Sequence, residues 1–116
     1  MTLALEKCVA CRRDSPRVTH DEIGEFHREV ADWDLTEHNA IKRLDRTFKF
    51  SNFAEAMEFT KKVGQAGEDE GHHPRITTEW GRVNVAWWTH KIRGLHQNDF
   101  IAAAKTDRLA GGGPRA

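Results

Sequence analysis

The chain lacks the features that announce many common functions. Only two cysteines occur among its 116 residues, Cys8 and Cys11, so no disulfide framework holds the fold, and a reducing compartment keeps both as thiols. No apolar run approaches the roughly 20 residues of a membrane span. Charge of neither sign is in excess. Eighteen Lys plus Arg offset eighteen Asp plus Glu, and no overall field draws the molecule to nucleic acid or to an anionic membrane. Missing too are a P-loop, a Gly-x-Gly-x-x-Gly turn after a strand, a serine-nucleophile motif and a His-Glu-x-x-His helix. The opening Met1 to Lys7 is too short and too quickly charged for a secretory signal, which gives the expectation of a cytoplasmic protein.

What is present suffices for one core. A single domain of this length hides roughly two thirds of the surface of its extended chain. Residues 1–17 mix Cys, Arg, Asp and Pro16 without periodicity and read as an extended N-terminal lead-in. Folding is expected over residues 18–110, and residues 111–116, opening with Gly111-Gly112-Gly113-Pro114, as a disordered tail.

Within the domain, Thr19-His20-Asp21-Glu22 fits a capping box, and Ile23, Phe26, His27 and Val30 follow at helical spacing, predicting a helix over 19–30. Trp33 to Leu35 and Ala40 to Phe50 flank a polar group and predict a hairpin. Arg46 falls on the apolar face of its second strand, which suggests a sheet end, a bulge or a subunit contact. Ser51 is a good N-cap for a second helix to about Glu68, whose apolar stripe over 53–66 is wide enough to imply burial on more than one side. Arg75 to Trp80 and Val83 to Thr89 predict a second hairpin, and Asn98 to Leu109 a last helix. The order is α-β-β-α-β-β-α, an α+β class with a four-stranded antiparallel sheet and helices available to cover one face.

The chemistry centres on histidine, the one side chain whose unperturbed pKa of about 6.5 leaves both protonation states populated near neutral pH. His72 and His73 stand in Gly71-His72-His73-Pro74, where Pro74 disfavours helical geometry at His73 and puts the pair at a helix-to-strand junction. Such a pair can face a ligand, or it can simply cap a helix C-terminus as imidazolium. His90 closes the second hairpin, on the strand face opposite Val83 and Val85, with Trp88 beside it. Adjacent histidines rarely aim at one tetrahedral centre. Cys8-Val9-Ala10-Cys11 has the spacing of half a zinc site or of a redox pair, yet no second Cys-x-x-Cys accompanies it.

Glu68 through Pro74, Trp80 through His90, and Gly94-Leu95 followed by Asp99 together resemble the pterin-4a-carbinolamine dehydratases. The resemblance runs from the capping box near Thr19 through the last helix, and Cys8 to Cys11 looks like the lead-in of bacterial members. It implies three helices on one face of the four-stranded sheet and assembly as a homodimer or homotetramer. It also implies elimination of water from 4a-hydroxytetrahydropterin to give quinonoid dihydropterin. That step recycles the cofactor of phenylalanine hydroxylase and needs no metal or organic cofactor. The family's catalytic histidines correspond to His72, His73 and His90, with acid and base assignable either way. Pterin contacts are expected from Glu68, Pro74, Trp88, Thr89 and Asp99. Glu68 either holds pterin nitrogens or orients a histidine, and Asp99 alternatively caps the last helix. Use of the wide helix stripe for binding another protein is a second implication, since the mammalian relative also serves a transcription factor.

Overall fold

A computed structural model describes residues 3–6 and 17–111 of the chain. Seven principal elements appear in the expected order: α1 (His20–His27), β1 (Asp34–His38), β2 (Ile41–Lys49), α2 (Phe53–Glu70), β3 (Arg75–Glu79), β4 (Arg82–Trp87) and α3 (Gln97–Leu109). The strands form one antiparallel sheet ordered β1-β2-β4-β3. Each hairpin thus supplies one central and one edge strand, and β2 meets β4 in the middle, with Arg46 opposite Val85.

Local chemistry explains most boundaries. The Thr19 hydroxyl accepts from the Glu22 N–H while the Glu22 carboxylate accepts from the Thr19 N–H, a complete capping box. After His27 the chain tightens into a 3-10 turn over Arg28–Val30 rather than continuing as α-helix. The first hairpin turns on Asn39-Ala40, both with positive φ (52° and 65°), the backbone sign of the type I′ turn that matches strand twist. The cap of α2 is Asn52 and not Ser51. Its side-chain oxygen accepts from the Glu55 N–H at 2.9 Å, and Ser51 instead donates its own N–H to the Glu55 carboxylate. β4 ends at Trp87, two residues short of the expected Thr89.

One apolar cluster joins the layers. Phe26 and Val30 near α1, Ala56, Phe59 and Val63 of α2, and Phe100, Ile101 and Ala103 of α3 pack on Leu44 and Phe48 of β2 and on Val83, Val85 and Trp87 of β4. Burying each large side chain contributes about 1.5–3 kcal/mol. The opposite sheet face is polar, where Asn84 donates to Asp45 at 2.7 Å and to Thr47 at 3.1 Å. Leu3 also enters the core from a 3-10 turn over Leu3–Leu5, a packed anchor where composition suggests an extended segment. Cys8 and Cys11 lie outside the described residues, as do 112–116 of the tail.

Arg46 stands at neither a sheet end nor a bulge. It sits mid-strand with no bulge, and α3 supplies its counter-charge within the same chain. The guanidinium donates to Asp107 at 2.7 Å, lies 3.6 Å from Asp32, and stacks 4.5 Å from the Phe48 ring centre. Asp107 also accepts from the Trp33 indole N–H at 2.8 Å. Among the described residues no helix is long and apolar enough to cross a membrane.

Candidate active site

At one end of the sheet, the end of α2, the end of β4 and the start of α3 converge on a cavity of about 310 Å³ lined by Gly71, His72, His73, Thr89, His90, Lys91 and Asn98. The junction after α2 is a Schellman motif. Gly71 adopts φ 63°, its N–H donates to the Glu68 carbonyl, and the His72 N–H donates to the Gly67 carbonyl at 3.0 Å. A β-carbon on Gly67 would lie 3.0 Å from the His72 carbonyl oxygen and 3.1 Å from Pro74 Cδ. Only glycine lets the histidine turn fold back this closely on its helix.

The paired histidines are not equivalent. His72 is buried, its ring stacked on Trp87 with centroids 5.5 Å apart, and its Nε2 lies 2.6 Å from Asp99 Oδ1. His73 is exposed and its Nε2 lies 3.5 Å from the exposed carboxylate of Glu68. At that distance and exposure the contact is a loose surface pair. Trp88 is not among the cavity-lining residues; it stacks on the His90 ring at 4.6 Å. Pro74 packs toward Gly67 instead of lining the cavity.

His90 follows directly on the end of β4 and stays on the side of Trp88, against which it stacks. Thr89 makes a single bridge with Gly94, and His90–Ile92 forms a 3-10 turn closed by Arg93 in the left-handed region, φ 51°. That turn carries the third imidazole to the mouth shared with the other two.

Asp99 holds the three converging elements together. It is fully buried, and its second oxygen accepts from the Thr89 hydroxyl at 2.8 Å and from the His96 N–H at 2.9 Å. It therefore caps α3, one of the two roles expected of it, and anchors His72 at once. Placement in the first turn of α3 also sets its charge against the positive end of the helix dipole.

His96, Lys91 and Asn98 belong to this neighbourhood and were not singled out by sequence. His96 is the N-cap of α3, its Nδ1 accepting from the Asn98 N–H at 3.0 Å. A histidine is an unusual cap by propensity, and the Asp99 three residues on was the available signal. The His96 pKa is lowered, chiefly by burial and also by His72, while Asp99 opposes the shift. A depressed folded-state value means that neutral His96 contributes stability above its ordinary pKa, lost as pH falls through the folded value. Thermal melts over mildly acidic pH should show wild type losing stability more steeply than His96→Asn, whose amide caps without titrating. Parallel slopes would show that the cap does not titrate in this way.

These features define a class: a small α+β protein with three imidazoles at one cleft, one of them braced by a buried carboxylate. Residues 16–109 match the family described as pterin 4 alpha carbinolamine dehydratase, and the chain belongs to that family. A Nitrosococcus oceani protein provisionally named pterin-4-alpha-carbinolamine dehydratase is 57% identical over 107 residues, covering 92% of this chain and 95% of the relative. A similarly named protein of Syntrophotalea carbinolica is 52% identical over 107 residues, covering 92% and 96%. Among solved structures, a transcriptional coactivator/pterin dehydratase from Brucella melitensis superposes with a TM-score of 0.74 at 29% identity, over 83% of this chain and all of the other. A pterin dehydratase-like protein identified as a RuBisCO assembly factor shares the fold at 23% identity and a TM-score of 0.57, over 69% and 93% of the respective chains.

Proposed function

We propose that the protein dehydrates 4a-hydroxytetrahydropterins, releasing water and quinonoid dihydropterin, and so returns the cofactor of a pterin-dependent hydroxylase such as phenylalanine hydroxylase in the cytoplasm. The observation that carries this reading is the Asp99–His72 contact of 2.6 Å inside a cleft shared with two further imidazoles. With its Nε2–H donated to the carboxylate, His72 keeps Nδ1 as an acceptor, and Asp99 compensates the charge that the ring acquires on taking a proton.

Loss of water needs a proton on the departing C4a hydroxyl and removal of the proton on N5, the nitrogen lone pair forming the new C=N bond as the C–O bond breaks. His72 takes the N5 proton. His73 and His90, both exposed, supply the proton to the hydroxyl and exchange with solvent. General acid and base groups each contribute about 10²- to 10⁴-fold to such steps. Lys91 and Asn98 complete the polar lining, and Glu68 orients His73 rather than touching the pterin.

The test follows the decay of freshly generated 4a-carbinolamine with wild type, His73→Ala and His90→Ala. Wild type should accelerate decay, and each variant should lose about tenfold or more. Folded wild type that leaves the decay rate unchanged refutes the proposal.

Self-association as a dimer or tetramer is part of the same reading. Phe53 and Met57 leave one side of α2 exposed at 46% and 38%. An apolar side of this kind on a helix that is otherwise core-packed favours burial against another copy. Sedimentation should show a species larger than a monomer that Met57→Glu dissociates; a monomeric wild type would exclude it.

A further inference from the structure

The Asp99 carboxylate explains how His72 is held, and Glu68 lies beside His73, but among the described residues no carboxylate pairs with His90. Among the described residues its imidazole makes no hydrogen bond, and it is exposed on a 3-10 turn. A ring in that position rotates freely unless something packs on it, and misplacement of a reacting group by about 1 Å can cost about 10²-fold in rate.

Trp88 is what packs on it, with centroids 4.6 Å apart and planes tilted by 27°. Trp88 has a second partner. Leu44 and Trp87 face each other across β2 and β4, so Arg43 and Trp88, one residue further out on each strand, meet on the opposite side of the sheet. The Arg43 guanidinium carbon lies 4.1 Å from the Trp88 ring centre. Its Nε is shielded from solvent without a hydrogen-bond partner. A buried, unpaired N–H is unfavourable, so the guanidinium rests there because the indole face attracts it.

We propose that Arg43 is a positioning residue for the dehydration: by clamping Trp88 it fixes the plane against which His90 stacks, and so sets the His90 ring at the mouth of the cavity. Arg43 touches no reacting atom in this scheme. The inference rests on the dehydratase reading for its catalytic consequence, while the placement of His90 stands independently of it.

Two measurements on Arg43→Met and Arg43→Lys test the proposal. The carbon-bound ring protons of His90, assigned by NMR through their loss in His90→Gln, should be displaced in wild type by the Trp88 ring current. In Arg43→Met they should move toward unstacked values, and in Arg43→Lys they should stay, because an ammonium also sits on an indole face. With 4a-carbinolamine, Arg43→Met should lower kcat about tenfold while KM changes less than about twofold, and Arg43→Lys should recover most of kcat. Unchanged His90 resonances in Arg43→Met overturn the clamp. Equal damage from Lys and Met overturns the role of the cation. If wild type fails to turn over carbinolamine, the functional reading falls, and the resonances alone still decide whether Arg43 positions His90.

Discussion

Replacing Asp99 with asparagine should lower kcat for carbinolamine dehydration by about 10²- to 10⁴-fold, with a smaller change in KM. The variant keeps the shape of the side chain but not its bonding. Three donors meet the carboxylate: the His72 ring, the Thr89 hydroxyl and the His96 N–H. An amide has one acceptor oxygen. If its NH₂ faces His72, the ring must turn acceptor at Nε2 and carry its proton on Nδ1, which removes the base from the cleft. If the NH₂ faces the other way, it opposes Thr89 and the cap of α3. Either arrangement should also cost about 1–3 kcal/mol of stability. Rates measured alongside chemical denaturation separate the effects, and a folded Asp99→Asn variant with wild-type kcat would remove His72 from the proton path.

The second large effect concerns stability. Arg46→Met should cost about 2–4 kcal/mol, because it leaves Asp107 mostly buried without its cation. The Asp107 carboxyl already lies above its ordinary pKa, raised by burial and opposed by the hydrogen bond from Trp33 and by Arg46. For a raised carboxylate the sign is clear: the native state loses stability as pH rises through the folded value, and the loss is absent below the unfolded value. Without Arg46 the upward shift grows. The deficit of the variant should therefore be largest near neutral pH and shrink in acid as Asp107 takes up a proton. Denaturation at neutral and at acid pH checks this. A deficit that stays constant or widens in acid would mean that the buried carboxylate is not its source.

Arg46 also shows where sequence patterns mislead. A charge on the apolar face of a strand reads as an edge, a bulge or an interface, since the pattern contains no information about what a distant helix brings. Asp107 is 61 residues away, and only the packing of α3 on β2 reveals the pair. His90 is the opposite case: strand alternation puts it on the face of Trp88, away from Val83 and Val85, and there its ring stacks on Trp88 at the mouth of the cavity. Ser51 and Asn52 are both good caps, and the choice between them depended on which side chain met the Glu55 N–H.

The sequence by itself determined the order of elements, the pairing within each hairpin and the histidines worth watching. Those rest on signals of short range: the capping box at Thr19, two-residue periodicity in the strands, and Gly71 and Pro74 bracketing the His72-His73 turn. Tertiary structure alone decided that the turn after α2, the end of β4 and the cap of α3 meet at Asp99, that His72 is buried and anchored while His73 is exposed beside Glu68, and that Arg43 reaches His90 through Trp88. Those contacts join residues far apart in the chain, and their energies depend on burial and direction, which no local pattern of residue types encodes.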